Sequence, residues 1–130
     1  MTENTGPDQA ADDAIEFAHR LFDAARAGET AFVTAAVDQG APVDLTDAAG
    51  NTMLMLAAYH GHAELVSALV ERGADVDRAN DRGQTPVAGA VFKRADDVTR
   101  VLIAAGADLD AGTPSARAAA RMFEVELPEA

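Results

Sequence analysis

Residues 47–79 read DAAGNTMLMLAAYHGHAELVSALVERGADVDRA, and residues 80–112 read NDRGQTPVAGAVFKRADDVTRVLIAAGADLDAG. The two stretches align without a gap at an offset of 33 residues. The aligned pairs include Gly50 with Gly83, Thr52 with Thr85, Leu65 with Val98, Leu69 with Leu102, and Gly73 with Gly106. Applied backwards, the same offset pairs Gly61 with Gly28 and Gly73 with Gly40. A repeat of this length is typical of a solenoid, whose units bury their apolar faces only by stacking on one another.

Each unit is predicted to form two short helices followed by an extended turn. In the unit that begins at Asp47, either this aspartate or the pair Asn51-Thr52 can open the first helix. The hydroxyl of Thr52 then lies close to backbone amides that lack a helical partner. Gly61 ends this first helix.

The second helix is predicted over about 62–71, because the apolar residues there recur at helical spacing on one face. Gly73 then supplies a left-handed cap. The following unit repeats the pattern, with helices predicted over 85–92 and 96–105. The first helices are rich in small residues, which let neighbouring helices stack closely and curve the array: Ala24, Ala25, Ala57, Ala58, Ala88, Gly89 and Ala90.

The pattern D-x-x-G-x-T-x-L-x-x-A-A-x-x-G-H-x-x-L-V-x-x-L-V-x-x-G-A over residues 47–74 resembles the ankyrin repeat. The next unit is similar but departs from the family where Ala88 replaces a histidine and Arg94-Ala95 replaces the Gly-His pair. The resemblance implies an all-α ankyrin-repeat solenoid of helix–turn–helix units. It further implies a non-catalytic module that binds a partner protein through its concave groove and turn tips.

Both ends of the array are predicted to be degenerate caps around two full repeats. At the N-terminal end, Ile15, Phe17, Ala18, Leu21 and Phe22 share one helical face, and His19 is expected to pack in the cap. At the C-terminal end, Thr113 as N-cap and Pro114 at the first helical position predict a helix over 116–123. Residues expected to close the core there are Met122, Phe123, Val125 or Leu127.

The predicted organisation is therefore a disordered acidic tail over 1–10 and an ankyrin repeat domain over 11–127. Within the domain we predict a capping repeat at 14–46, repeats at 47–79 and 80–112, and a C-terminal cap helix at 113–127.

The composition excludes several classes of function. Ten basic residues against 22 acidic ones give a net charge of −12, which argues against binding nucleic acid or anionic membrane. Without cysteine, disulfides, thiolate zinc sites and cysteine nucleophiles are excluded. With no apolar run of membrane-spanning length and no signal-peptide pattern, a cytoplasmic location is expected. The predominance of arginine over lysine and the abundance of alanine hint at a bacterial source.

No catalytic, metal or cofactor site is predicted. His60 and His62 lie two residues apart, which on a helix directs their side chains away from each other. The Asp-x-Asp pairs at Asp75 and Asp108 lack the glycine and glutamate of a calcium loop, and their repetition fits turn residues better. No phosphate loop or hydrolytic triad is visible, so we do not expect an enzyme.

The candidate binding residues are large groups at positions that stacking does not dictate. Tyr59 and Phe92 lie one repeat apart and are expected side by side, either contacting a partner or covering the groove themselves. The predicted protein-binding residues are Asn51, Tyr59, His60, Asp81, Arg82, Gln84, Phe92 and Lys93.

An acidic ridge at the turn tips offers a second surface, which could steer a partner with a basic face. Its residues are Asp44, Asp47, Asp75, Asp77, Asp81, Asp108 and Asp110. The protein is thus predicted to be a monomeric binding module. The alternatives are an acidic inhibitor of a basic protein, resembling an immunity protein or antitoxin, and an inert structural or stress-related protein.

Overall fold

The computed structural model describes residues 7–128, which form seven α-helices and no regular strand. The helices are α1 (Pro7–Ala27), α2 (Thr30–Asp38), α3 (Met53–Tyr59), α4 (Ala63–Glu71), α5 (Pro86–Phe92), α6 (Asp96–Ala104) and α7 (Ala116–Met122). None of these helices is both long and apolar enough to cross a bilayer.

The helices stack in two rows. Helices α1, α3, α5 and α7 pack consecutively against each other and form the first-helix row. Helices α2, α4 and α6 form the second-helix row, and each packs against the first-row helix that precedes it. This arrangement confirms the predicted solenoid of helix–turn–helix units.

The core lies between the two rows and runs through every unit. Leu54, Leu65, Leu69 and Leu102 are fully buried, as their repeated positions predict. The small residues of the first-helix row are buried as well, including Ala57. Because alanine and glycine add little bulk, adjacent first-row helices pack closely and share one continuous core.

The N-terminal end departs from the predicted cap. Helix α1 begins at Pro7, inside the segment 1–10 for which no regular structure was expected, and residues 1–6 lie outside the described residues. Leu21 and Phe22 are buried as predicted, but Ile15 is 56% exposed and His19 is also exposed. Within residues 7–128 no unit stacks before α1, and the outer part of its apolar face is exposed to solvent.

At the C-terminal end the predicted cap residue is wrong. Ser115 is the N-cap of α7, and its Oγ accepts a hydrogen bond from the Ala118 amide at 3.1 Å. Thr113 instead belongs to the turn, where its amide donates to the Gly83 carbonyl at 2.9 Å.

A shortened turn explains this shift. An isolated bridge joins Thr46 to Thr52 before α3, whereas the corresponding bridge before α7 joins Gly112 to Ser115. Gly112 lies two repeats after Thr46, so the turn before α7 is three residues shorter than the one before α3. Helix α7 is thus the first helix of a fourth unit whose register is displaced by three residues. Of the residues predicted as alternatives for closing the core, Met122 is 66% exposed, whereas Val125 and Leu127 are partly buried against the core.

Candidate functional site

Two adjoining pockets lie along the first-helix row and the turn tips, and together we call them the central groove. The first, the polar pocket, has a volume of about 270 Å³. Its lining includes five of the predicted binding residues, Asn51, Tyr59, His60, Arg82 and Gln84, together with Arg26 at the end of α1.

The second, the aromatic pocket, also has a volume of about 270 Å³. Its lining is mainly apolar and includes Tyr59, Gly89, Phe92, Met122 and Phe123. Phe92 is 52% exposed, as expected for a side chain that stacking does not bury. Tyr59 and Gln84 line both pockets, which makes the groove continuous.

Tyr59 and Phe92 line the same pocket, but their rings do not pair with each other. The ring of Phe92 packs edge-on against Phe123, with centroids 5.4 Å apart. The ammonium group of Lys93 lies over the ring of Tyr59, 5.0 Å from its centroid. The alternative that Phe92 covers the groove by packing on Tyr59 is therefore not what the structure shows, and both rings line the aromatic pocket.

Met122 and Phe123, two of the residues predicted as alternatives for closing the core, line the aromatic pocket. With the three-residue shortening before α7, Met122 occupies the position in its unit that Tyr59 and Phe92 occupy in theirs. Ser115 was the available signal, since an N-cap serine there sets the register of α7.

Gly89 makes room for the aromatic pocket. A Cβ atom at this position would lie 3.1 Å from Cε of Met55 and 3.5 Å from Cδ1 of Tyr59. Glycine inside a helix is about 1 kcal/mol less favourable than alanine. Here it lets Tyr59 approach the backbone of α5 and shapes the wall of the groove.

The turn tips are joined by side-chain hydrogen bonds that involve two of the predicted residues. Nδ2 of Asn80 donates to Oδ1 of Asn51 and to Oε1 of Gln84, both at 2.8 Å. The amide of Asp81 donates to the carbonyl of Ala49 at 3.0 Å. Asn51 and Gln84 thus brace neighbouring tips, while Asp81 is exposed outside the groove lining.

Asp47 holds the preceding tip in the same way. Its Oδ1 accepts hydrogen bonds from the amides of Ala49 and Asn51, both at 2.9 Å. Partial burial raises the pKa of Asp47, but the hydrogen bonds from Asn51 and Ala49, together with the nearby Arg26, outweigh it. The pKa of this carboxyl therefore lies below its usual value.

The acidic ridge is also part of the repeat-to-repeat contacts. Oδ1 of Asp44 accepts from the amide of Asp75 at 3.0 Å, and Oδ1 of Asp77 accepts from the amide of Asp108 at 2.8 Å. Each bond spans one repeat, so these aspartates connect successive turns. The predicted role as turn residues accounts for their position.

The two central histidines lie in the turn around Gly61 rather than on one helix. Nε2 of His62 is 2.7 Å from the carbonyl oxygen of Arg26 and links the turn to the end of α1. Contrary to the prediction, the rings of His60 and His62 are stacked, 6.5 Å apart. Partial burial and the nearby His62, Arg26 and Lys93 lower the pKa of His60. Between residues 7 and 128, no three His, Cys, Asp or Glu side chains are placed to hold a metal ion.

Comparison with known proteins agrees with this architecture. A family model described as ankyrin repeats (3 copies) matches residues 21–113. Over 45 residues the chain is 44% identical to an ankyrin repeat protein of Pseudomonas aeruginosa. This match covers 35% of the chain and 26% of the relative, so the two are alike over about a quarter of the relative's length. Ankyrin repeats generally serve as protein–protein interaction modules and are typically non-catalytic. The chain belongs to the ankyrin repeat family.

Proposed function

We propose that this protein is a non-catalytic binding module that docks a partner protein in its central groove and against the adjoining turn tips. The observation that carries the proposal is the aromatic pocket, where Phe92 and Met122 are more than half exposed beside Tyr59. Large apolar side chains clustered in a groove, with cations nearby, have the composition of an interface hot spot.

The size of the aromatic pocket fits one side chain of a partner. Its volume of about 270 Å³ is below the roughly 300–1,000 Å³ of pockets that enclose a whole small molecule. The neighbouring polar pocket offers amide and guanidinium groups that can donate to a partner's backbone carbonyls. The two pockets together therefore suit a protein segment that lies along the groove.

The acidic alternative, an inhibitor of a basic protein, draws on the net charge of −12. The carboxylates that it would use are those of the acidic ridge, several of which accept hydrogen bonds from neighbouring turns. We favour the groove because Phe92 and Met122 remain more than half exposed in its aromatic pocket.

The test is an affinity pull-down from native lysate with the wild type and with the double variant Tyr59→Ala/Phe92→Ala. We expect the wild type to hold a partner that the double variant loses. The matched control is Ile15→Ala/Phe17→Ala, which truncates two exposed apolar residues at the N-terminal end of the array. Circular dichroism verifies that all variants are folded.

Other outcomes contradict the proposal in distinct ways. A partner retained by the groove variant and lost when Asp44 and Asp77 are replaced by asparagine would move the site to the acidic ridge. If Ile15→Ala/Phe17→Ala also loses the partner, the binding site extends to the N-terminal end of the array. Absence of any partner would favour the inert structural protein.

A further inference from the structure

The charge of the central groove is opposite to that of the molecule. The chain has 22 acidic and ten basic residues. The linings of the polar and aromatic pockets nevertheless contain Arg26 and Arg82 but no aspartate or glutamate. Lys93 lies over the ring of Tyr59, and the guanidinium of Arg94 lies 5.6 Å from the centroid of Phe123.

Three of these four cations are available to a partner. The guanidinium of Arg26 is paired with Asp23 at 3.0 Å and with Asp47 at 3.4 Å, so its charge is largely compensated. Arg82, Lys93 and Arg94 form no ion pair with any residue between 7 and 128. All three are exposed.

We infer that the groove takes an acidic segment of the partner protein in which carboxylates flank a large apolar side chain. The inference rests on the proposed function and specifies the chemistry of its partner. The apolar side chain enters the aromatic pocket between Tyr59 and Phe92. The flanking carboxylates face Arg82, which lines the polar pocket, and Lys93 and Arg94, which lie over the rings of Tyr59 and Phe123.

Two physical reasons favour this segment over a basic or a neutral one. A basic segment would bring like charges together beside Arg82, Lys93 and Arg94, whereas carboxylates there gain local attraction. The positions of Lys93 and Arg94 over aromatic faces also hold their charges at the pocket mouth, through a favourable interaction with the ring.

The groove also has a direction. Next to the polar pocket, towards the N-terminal end, lies a third pocket whose lining contains two carboxylates, Asp23 and Asp47, against the single arginine Arg26 that pairs with both. An acidic segment is repelled there and attracted further along the array. We therefore expect its carboxylates to cluster over the units formed by α3, α5 and α7.

The experiment uses a phage-displayed library of random 12-residue peptides selected against the full chain. We expect the selected peptides to be enriched in aspartate and glutamate beside leucine, isoleucine or an aromatic residue. The variant Arg82→Glu/Lys93→Glu should weaken the binding of these peptides about tenfold, and added salt should weaken wild-type binding in the same direction.

The matched control is Arg78→Glu/Arg100→Glu, which makes the same charge change at two exposed arginines outside both pockets. Peptide affinity should stay within about twofold of the wild type, since only weak long-range repulsion is added. Circular dichroism confirms that both variants are folded.

The outcomes separate this inference from the proposed function. Neutral or basic peptides that are lost in Tyr59→Ala/Phe92→Ala would overturn the inference and leave the groove as the binding site. Acidic peptides whose affinity is unchanged in Tyr59→Ala/Phe92→Ala and in Arg82→Glu/Lys93→Glu would overturn the inference and the proposed function together. A selection that yields no peptide above background would also count against an acidic linear segment.

Discussion

At the scale of single residues, the helix N-caps show how one side chain serves both local structure and packing. Thr52 and Thr85 are almost completely buried, yet their hydroxyls accept hydrogen bonds from the amides of Met55 and Ala88 at 3.0 and 3.3 Å. Ser115 does the same before α7. A buried hydroxyl is tolerated because it satisfies an amide that no helical carbonyl reaches.

This geometry leads to a prediction for Thr52. Replacement by valine keeps the shape but removes the acceptor and leaves a buried amide unpaired. We expect Thr52→Val to lower the free energy of unfolding by about 1 kcal/mol, measured by urea denaturation. Thr52→Ser retains the hydroxyl and should lose less. Equal losses in the two variants would show that the methyl group, and not the cap, is what matters.

At the scale of elements, the turn between the two helices of a unit requires a left-handed residue. Gly28 and Gly61 have φ angles of 76° and 79°, and Arg94, one repeat later, has φ of 58°. Such a conformation is unfavourable for a residue with a side chain, by roughly 1 kcal/mol or more. Arg94 thus adopts the same turn conformation as the glycines at some cost in stability, while its guanidinium contacts Phe123.

Comparing the stabilities of the glycine and alanine variants at position 94 tests whether this turn is left-handed. Both Arg94→Gly and Arg94→Ala remove the contact with Phe123, so their difference reports the backbone alone. We expect the glycine variant to be more stable than the alanine variant by about 1 kcal/mol in chemical denaturation.

The same pair of substitutions at Arg100, which is exposed within α6, provides the control. There alanine should be the more stable by about 0.5–1 kcal/mol, as in any helix interior. If alanine is the more stable at both sites, residue 94 does not adopt the left-handed conformation in solution.

At the scale of the whole molecule, stability depends on stacking between units. Leu69 and Leu102 are fully buried at equivalent positions of α4 and α6. Truncation of such a leucine to alanine lowers the free energy of unfolding by about 2–5 kcal/mol. A domain has only about 5–15 kcal/mol in total. Either variant therefore removes a large part of the stability of the array.

We expect Leu69→Ala and Leu102→Ala to lower the melting temperature strongly, in one transition, because each unit depends on its neighbours. Thermal unfolding, monitored by circular dichroism, measures the melting temperature and the number of transitions. Ile15→Ala, at an exposed site, should change the free energy of unfolding by less than about 0.5 kcal/mol. A leucine variant that melts within about 2 °C of the wild type would contradict the stacking assignment.

The sequence by itself determined the parts of the structure that depend on rules within one unit. Thr85 indicated a helix start, Thr52 was one of two candidates for another, Gly61 and Gly73 indicated turns, and the spacing around Leu69 indicated the buried face. These features repeat because each one satisfies the same local hydrogen bonds and the same neighbouring surface.

Only the tertiary structure decided what happens where the repeat is broken or where two units meet. The shortened turn before Ser115 displaces α7, so Phe123 pairs with Phe92 and Met122 joins the groove instead of the core. Likewise Ile15 follows the apolar pattern but is exposed, because within residues 7–128 no unit packs on the outer face of α1. The physical reason is that periodicity shows which face of a helix is apolar. Whether that face is covered, and by which side chain, depends on the register and presence of the neighbouring unit.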